Sequence, residues 1–425
     1  MTHNNVPNEL RNERQRLEEG MSDDEDFELI EILDNEIGED AQEEGADTDE
    51  EPDEPIEEDD SYEPLKDDSI RSFAHHRAAV FVCSVSPCGN MIASGGEDDR
   101  FIVTEASSGN VLLDCNDFFQ DSVNMVGFNH DGKYVSACDM TGQMAVWKVQ
   151  PDSQLSCIYK DTVGGVCPSS WSKWHSKSNV LLVGGLSVWL FKFPSAQVKL
   201  IHEGLVETDC GEFMPDGKRA AIGFSDGTIR LFDLATGATT CKFSPESTQL
   251  PQILTMAVHP DNNLIAVGTI DAKIALFKTQ QPKTVAILQC SEDLQLKSDS
   301  STEFPEHYIS TEAVLFVDVE GMSVVVAGTD HAIHIWDYMR QVLRHRILVE
   351  DGVTRMVWRE KSLNFFVGTR KGPVNVFNAL SGVQNPSLEG HKSSILDLAL
   401  SSNGKLLVTS GSDGAVKMFN IAQYS

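Results

Sequence analysis

Three groups of residues in this 425-residue chain could do chemistry. The first is His391 and Asp413 with Ser410 or Thr409 between them. A Ser, His and Asp together form the inventory of an acyl-transfer triad. A nucleophile, however, needs an exposed elbow and an oxyanion hole. Ser410 instead ends a short apolar run, Lys405–Ser410, with a turn on either side. The trio therefore reads as structural hydrogen bonding. The second group is His75 and His76 with Asp98. It could ligate a metal, but a packed His–Asp pair is the simpler reading. Asp226 and Asp271 stand in equivalent turns and take the same structural role. The chain contains no HExxH, P-loop or paired Cys/His ligand spacing. No catalytic, metal or cofactor site is expected, and an enzyme has no support.

The third group is a set of acidic connections. Glu97, Asp99, Asp117, Asp121, Asp139, Glu203, Glu207, Asp209, Glu350 and Asp351 all fall in or beside loops. Arg77, Arg100, Lys273, Arg370 and Lys371 stand against them. Phe118 and Phe119 sit in one such connection and Trp171 in another. Carboxylates with aromatic anchors suit capture of an Arg/Lys-rich segment, through ion pairs and cation–π contacts. The plain alternative is that acidic loops keep a protein soluble.

These loops must be positioned by something, and the last residues, Gly390–Ile421, reveal what. Three apolar runs are separated by Ser401-Ser402-Asn403-Gly404 and Gly411-Ser412-Asp413-Gly414. Such runs and turns read as antiparallel strands. A three-stranded sheet with two apolar faces needs neighbours of its own kind, and the chain supplies them. Gly404 and Phe419 are 15 residues apart, as are Gly132 and Trp147, Gly217 and Phe232, Asn262 and Phe277, and Gly321 and Trp336. Ser362 and Phe377 repeat the spacing, and Gly89 and Thr104 keep it without the aromatic. A degraded copy ends at Phe191–Phe193. The third-strand ends recur every 41–45 residues, except for a longer step between Phe277 and Trp336. That period belongs to four-stranded propeller blades, so the fold expected is an all-β, eight-bladed β-propeller. The last unit has three strands of its own. Ile70–Phe73, just before the first unit, is expected to pair with residues 417–421 and close the ring.

Charge divides the chain in two. Residues 1–69 hold 29 acids and 4 bases, leaving 37 acids and 29 bases for residues 70–425. The first segment is expected to be a disordered acidic tail. Within it Phe27, Ile30, Leu33 and Ile37 fall at helical spacing and could form a docking stripe. The polar insertion Gln289–Ser310 reads as a mobile rim loop. A net charge of −33 argues against direct nucleic-acid binding and for basic protein partners. No run of about eighteen apolar residues marks a membrane span. Nine cysteines, mostly inside apolar patterns, suit reduced thiols in the cytoplasm, with the nucleus as a second compartment. A monomer is expected.

Gly390-His391, Asp413 and Trp336-Asp337 resemble the WD-repeat pattern. That resemblance implies a hydrogen-bonded His, Ser/Thr and Asp within a blade. Five stretches go further: the apolar patch Leu29–Leu33 in an acidic segment, Ser94–Asp99, Met140–Val149, Pro215–Leu234 and Leu388–Ser401. Together they resemble the angio-associated migratory cell protein family. The first unit departs from it by ending Ile102-Val103-Thr104, and the third by a short turn. The resemblance implies a non-enzymatic cytosolic propeller. A fungal relative chaperones one new large-subunit ribosomal protein on its acidic face. The expectation is therefore an escort for a basic ribosomal protein, with a signalling scaffold in cell migration as the alternative.

Overall fold

Among the described residues, thirty-two strands form eight four-stranded antiparallel sheets. The computed structural model describes residues 62–163, 169–261, 263–280, 283–290, 309–319, 322–349 and 351–424. The expectations for a disordered tail, for the Phe27–Ile37 stripe and for most of the 289–310 insertion lie outside these residues. Blade 1 spans residues 80–115, blade 2 123–162, blade 3 169–203 and blade 4 208–243. Blade 5 spans 253–289, blade 6 311–348 and blade 7 353–388; blade 8 takes 395–420 together with 71–73. The first strand of each blade is the inner one.

Seven of the eight third-strand ends named above share one register, and Trp336 instead lies opposite Val325, the fourth residue of Met322–Thr329. Thr104 lies opposite Ile92, Trp147 opposite Val135, Phe232 opposite Ala220, and Phe419 opposite Leu407. In each case the partner is the second residue of the second strand. The inner strands share a second feature. Every one carries a bulge after its first residue, as between Val80 and Val82 or Thr208 and Cys210. A bulge leaves one residue outside the ladder and re-aims its side chain.

The core lies at the seams between blades. Among the described residues, eight buried apolar clusters occupy the eight seams, one each. Phe101 of blade 1 stacks on Trp147 of blade 2 at 4.7 Å, and Phe243 of blade 4 meets Phe277 of blade 5 at 4.5 Å. Each such fully buried ring contributes roughly 2–3 kcal/mol. Inner strands of neighbouring blades pack together, including Val80–Val85 against Ile395–Leu400, so the ring is closed.

At the closure, Arg71 pairs with Met418, Ser72 with Lys417 and Phe73 with Val416. Phe73 is buried in the seam between blades 8 and 1. Residues ahead of 70 also contact blade 8. Tyr62 N donates to Lys392 O (2.7 Å), and Asp68 N donates to Glu389 O (2.8 Å). Asp67 pairs at 2.6 Å with Lys417, whose side chain is nearly buried. Residues 62–69 thus belong to blade 8, not to the tail. Their acids match a buried lysine that local sequence does not reveal. Gly390 permits this approach, because a Cβ there would stand 2.7 Å from Asp67 Oδ1.

Candidate partner-binding face

Two buried trios anchor the rim that carries the loops between second and third strands. In blade 8, His391 Nδ1 lies 2.9 Å from Asp413 Oδ1, and Nε2 lies 2.6 Å from Thr409 Oγ1. A carboxylate only accepts, so Nδ1 carries the proton and the Thr409 hydroxyl donates to Nε2. The strand partner is Thr409 and not Ser410. Neighbouring strand residues point to opposite faces, and only one of them can meet the imidazole. This is the connectivity of a catalytic triad, yet His391 and Thr409 are both 0% exposed, so no substrate can reach them. Blade 1 repeats it with His76, Ser94 and Asp98 (2.8 Å and 2.8 Å). His75 is not part of that trio; it bonds Gly109 O. Asp98 also accepts from Arg77 N (3.0 Å), as Asp413 does from Lys392 N (2.9 Å). Burial raises both carboxyls, but their His partners hold them below the ordinary value. Asp226 and Asp271 have no His. Asp226 accepts from Thr228 N, and Asp271 bonds Thr269 and Lys273.

The expected rim acids divide by geometry. Asp99 is crowded. Burial and the charges of Asp121, Asp98 and Asp139 raise its carboxyl above the usual range. It also adopts φ +58°, in the turn position where blade 8 has Gly414 (φ +74°) and blade 2 Gly142 (φ +87°). Asp139 is not a free rim acid. It is 0% exposed and accepts from Thr141 N, Thr141 Oγ1, Gln143 N and Gln120 N, tying two loops together. Glu203 and Glu207 are exposed on the rim of blades 3 and 4. Asp209 is the bulge residue of its inner strand and lines the mouth of the central channel, a space of about 440 Å³. Burial, then Glu207, push its carboxyl up, against one hydrogen bond from Gln252. Asp351 is neutralised by Lys371 at 2.8 Å, and Glu350 lies outside the described residues.

Four of the five rim cations are already engaged, and Arg77 makes no ion pair among the described residues. Arg100 holds Asp114 (2.6 Å), Arg370 holds Asp330 (2.7 Å), and Lys273 and Lys371 each hold an aspartate. Among the described residues no ion pair involves Glu97, Asp99, Asp117, Asp121, Glu203 or Glu207. The rim around blades 1–4 therefore keeps a negative field.

The aromatic anchors are not where the sequence suggests. Trp171 sits on the inner strand Ser169–Trp174, 7% exposed. Its indole lies where Cβ atoms on Gly184 and Gly211 would be, and Nε1 donates to Thr208 O at 3.1 Å. Phe119 is 7% exposed and joins the seam of blades 1 and 2. Phe118 is half-buried, with Lys160 Nζ already 4.6 Å over its ring. Large apolar side chains closing polar loops were drawn into the nearest seam, as hydrophobic burial dictates. Among the described residues, the exposed apolar side chains of this rim include Leu205 (99%), Met140 (42%) and Ile270 (39%). Met140 and Ile270 occupy the turn position of Glu97, directly after the second strand. Aligning the repeats by that position would have found them. Glu312, missed as well, is the bulge residue of the blade 6 inner strand, the register position of Asp209.

The comparisons agree with this architecture. The family model described as WD domain, G-beta repeat matches residues 67–103 and 382–420. The human angio-associated migratory cell protein is 31% identical over 356 residues, which is 83% of this chain and 80% of that protein. A guanine nucleotide-binding protein subunit beta from Oryza sativa subsp. japonica is 26% identical over 221 residues, 45% of this chain and 55% of that protein. Among solved structures, Saccharomyces cerevisiae Sqt1 matches with a TM-score of 0.72 at 19% identity, over 84% of this chain and 100% of its own. Chaetomium thermophilum Sqt1, bound to the N-terminus of the ribosomal protein L10, matches with 0.71 at 22% identity, over 84% and 100%. A shared repeat architecture and a relative 31% identical over most of both lengths place the chain in the angio-associated migratory cell protein family.

Proposed function

We propose that the chain is a non-enzymatic escort for a basic protein client, captured in the cytoplasm on the acidic rim of blades 1–4. One observation carries the reading. Asp99 keeps a carboxylate in a left-handed turn position and beside three other acids, and both features cost stability. A residue held against two penalties is explained by what it meets outside the fold. The client class is a Lys/Arg-rich segment. The N-terminus of ribosomal protein L10, seated on Chaetomium thermophilum Sqt1, makes a large-subunit ribosomal protein the first candidate. Leu205 and Met140 would supply apolar contact between the carboxylates. The test is affinity purification at low salt followed by mass spectrometry. One stoichiometric basic protein is expected, lost as salt rises and lost in the E97K/D99K/D121K variant. Recovery of several signalling proteins and no basic one would replace the escort by a scaffold.

A further inference from the structure

The rim opposite the acidic loops carries the turns between first and second strands and between third and fourth. One position on it directly follows the third-strand end of each blade. In five blades that position holds an acceptor for the turn beyond it. Asp233 accepts from Thr236 N (2.8 Å), Asp337 from Arg340 N (3.1 Å), Asn378 from Leu380 N (3.0 Å) and Asn420 from Ala422 N (3.0 Å). Glu105 accepts from the Ser108 hydroxyl. Blades 2, 3 and 5 carry Lys148, Lys192 and Lys278 there instead. A lysine side chain only donates, so those three turns forgo the cap.

Blade 5 adds a second cost. Lys278 lies directly opposite Lys283, and like charges in directly opposed positions destabilise a sheet. Lys177 and Lys218 extend the charge through the turns between first and second strands of blades 3 and 4. Those turns are joined, because His175 Nε2 donates to Gly217 O at 3.2 Å. The turn of blade 2 joins them through Asn129 Nδ2, which donates to Asn179 Oδ1 at 2.8 Å. All six lysines are exposed, and none makes an ion pair among the described residues. Of the carboxylates beside these turns, Asp131, Asp216 and Glu212 are held by Lys133, Arg219 and Lys173. Asp152, Asp233 and Asp261 are left against the six lysines. This part of the rim is net positive on a chain whose formal charge is −33.

We propose that this rim of blades 2–5 docks an acidic segment of a partner protein, one with apolar side chains among its carboxylates. Lysines held against three lost caps and one like-charge contact are explained by what they meet outside the fold. They would meet the carboxylates. Val198 (46% exposed) and Leu200 (37%), on the outer strand of blade 3 beside the partner of Lys192, would meet the apolar residues. RNA is the poorer occupant. The charge of the whole chain repels a strand that carries one phosphate per nucleotide, and Val198 and Leu200 would go unused. The surface is separate from the acidic rim and opposite to it in charge preference.

The test is fluorescence anisotropy on the full chain, with two labelled probes. One is a peptide of Asp and Glu with leucine at every fourth position, and the other is an RNA hairpin. At low salt the peptide should bind, and K148D/K192D/K278D should weaken it about tenfold or more. V198S/L200S should weaken it by a smaller factor, as should a peptide without the leucines. The triple variant restores three turn caps and removes the Lys278–Lys283 contact, so its melting temperature should rise. That rise separates lost binding from a lost fold. The proposal fails if the peptide does not bind, if the triple variant binds it as tightly as the parent, or if the leucine-free peptide binds equally well. It also fails if the RNA hairpin binds more tightly than the peptide and loses that affinity in the triple variant, since the occupant is then a nucleic acid. Self-association of the full chain in sedimentation, dissolved by the triple variant, overturns it too, because the occupant is then a second copy.

Discussion

Blades 1 and 8 are built on the same buried trio but present different surfaces. His76, Ser94 and Asp98 superpose in role on His391, Thr409 and Asp413, down to the backbone amide that each aspartate caps. Around Asp98 the turn reads Glu97, Asp99 and Arg100; around Asp413 it reads Ser412, Gly414 and Ala415. The trio is scaffold, and the residues beside it are what a partner meets. The blades differ in assembly too. Blade 1 is one continuous stretch, whereas blade 8 borrows its outer strand from the chain ahead of blade 1.

The largest effect should come from that borrowed strand. Deleting residues 1–74 strips Phe73 from its seam and leaves Lys417 without Asp67, a cost of roughly 3–5 kcal/mol. Deleting residues 1–60 should leave the urea midpoint unchanged. Equal midpoints for the two truncations would break the contrast between blades. Next, His391→Ala and His76→Ala should each cost about 2–3 kcal/mol, because each strands a buried carboxylate and hydroxyl. A large difference between them would mean that one trio is more than scaffold.

The turns themselves come third. Glu97→Lys with Asp99→Lys should weaken binding of a basic client about tenfold or more, while Ser412→Lys in blade 8 should do far less. Titration calorimetry at two salt concentrations reads both. Asp99→Gly should raise stability by about 0.5 kcal/mol by relieving the left-handed backbone, and still weaken client binding. A variant that gains stability without losing affinity would remove the argument from strain.

The smallest effect concerns pH. Burial holds the His76 imidazole below its ordinary value of 6.5, and Asp98 is also held low. Groups with depressed values stabilise the fold fully above the unfolded-state value and lose that contribution as pH falls. Stability should therefore decline below about pH 6.5, and His76→Asn should flatten that decline in urea titrations. A steeper decline in the variant would reverse the sign.

Much of the architecture was legible because each repeat must solve the same problem. Gly404 and Phe419, and their counterparts, are spaced by the register of two strands and a turn, so sequence spacing maps directly onto pairing. The buried His–Asp partners were legible for the same reason. The site was less legible. Trp171 and Phe119 looked like loop anchors, but their fate depended on an empty seam nearby, which Gly184 and Gly211 provide for Trp171 from two different blades. Asp139 looked like a surface charge until four hydrogen-bond donors from two loops converged on it.

The sequence by itself determined the number of blades, the strand order within each and the acidic character of the chain, because these rest on local periodicity and on composition. Tertiary structure alone decided which acids remain unpaired, which aromatics are buried, and that residues 62–69 belong to the last blade. Those outcomes depend on neighbours beyond the local stretch, from Trp171 and Thr208, 37 positions apart, to Asp67 and Lys417, 350 apart. Burial and charge pairing are properties of the completed ring, and no stretch of the chain carries them alone.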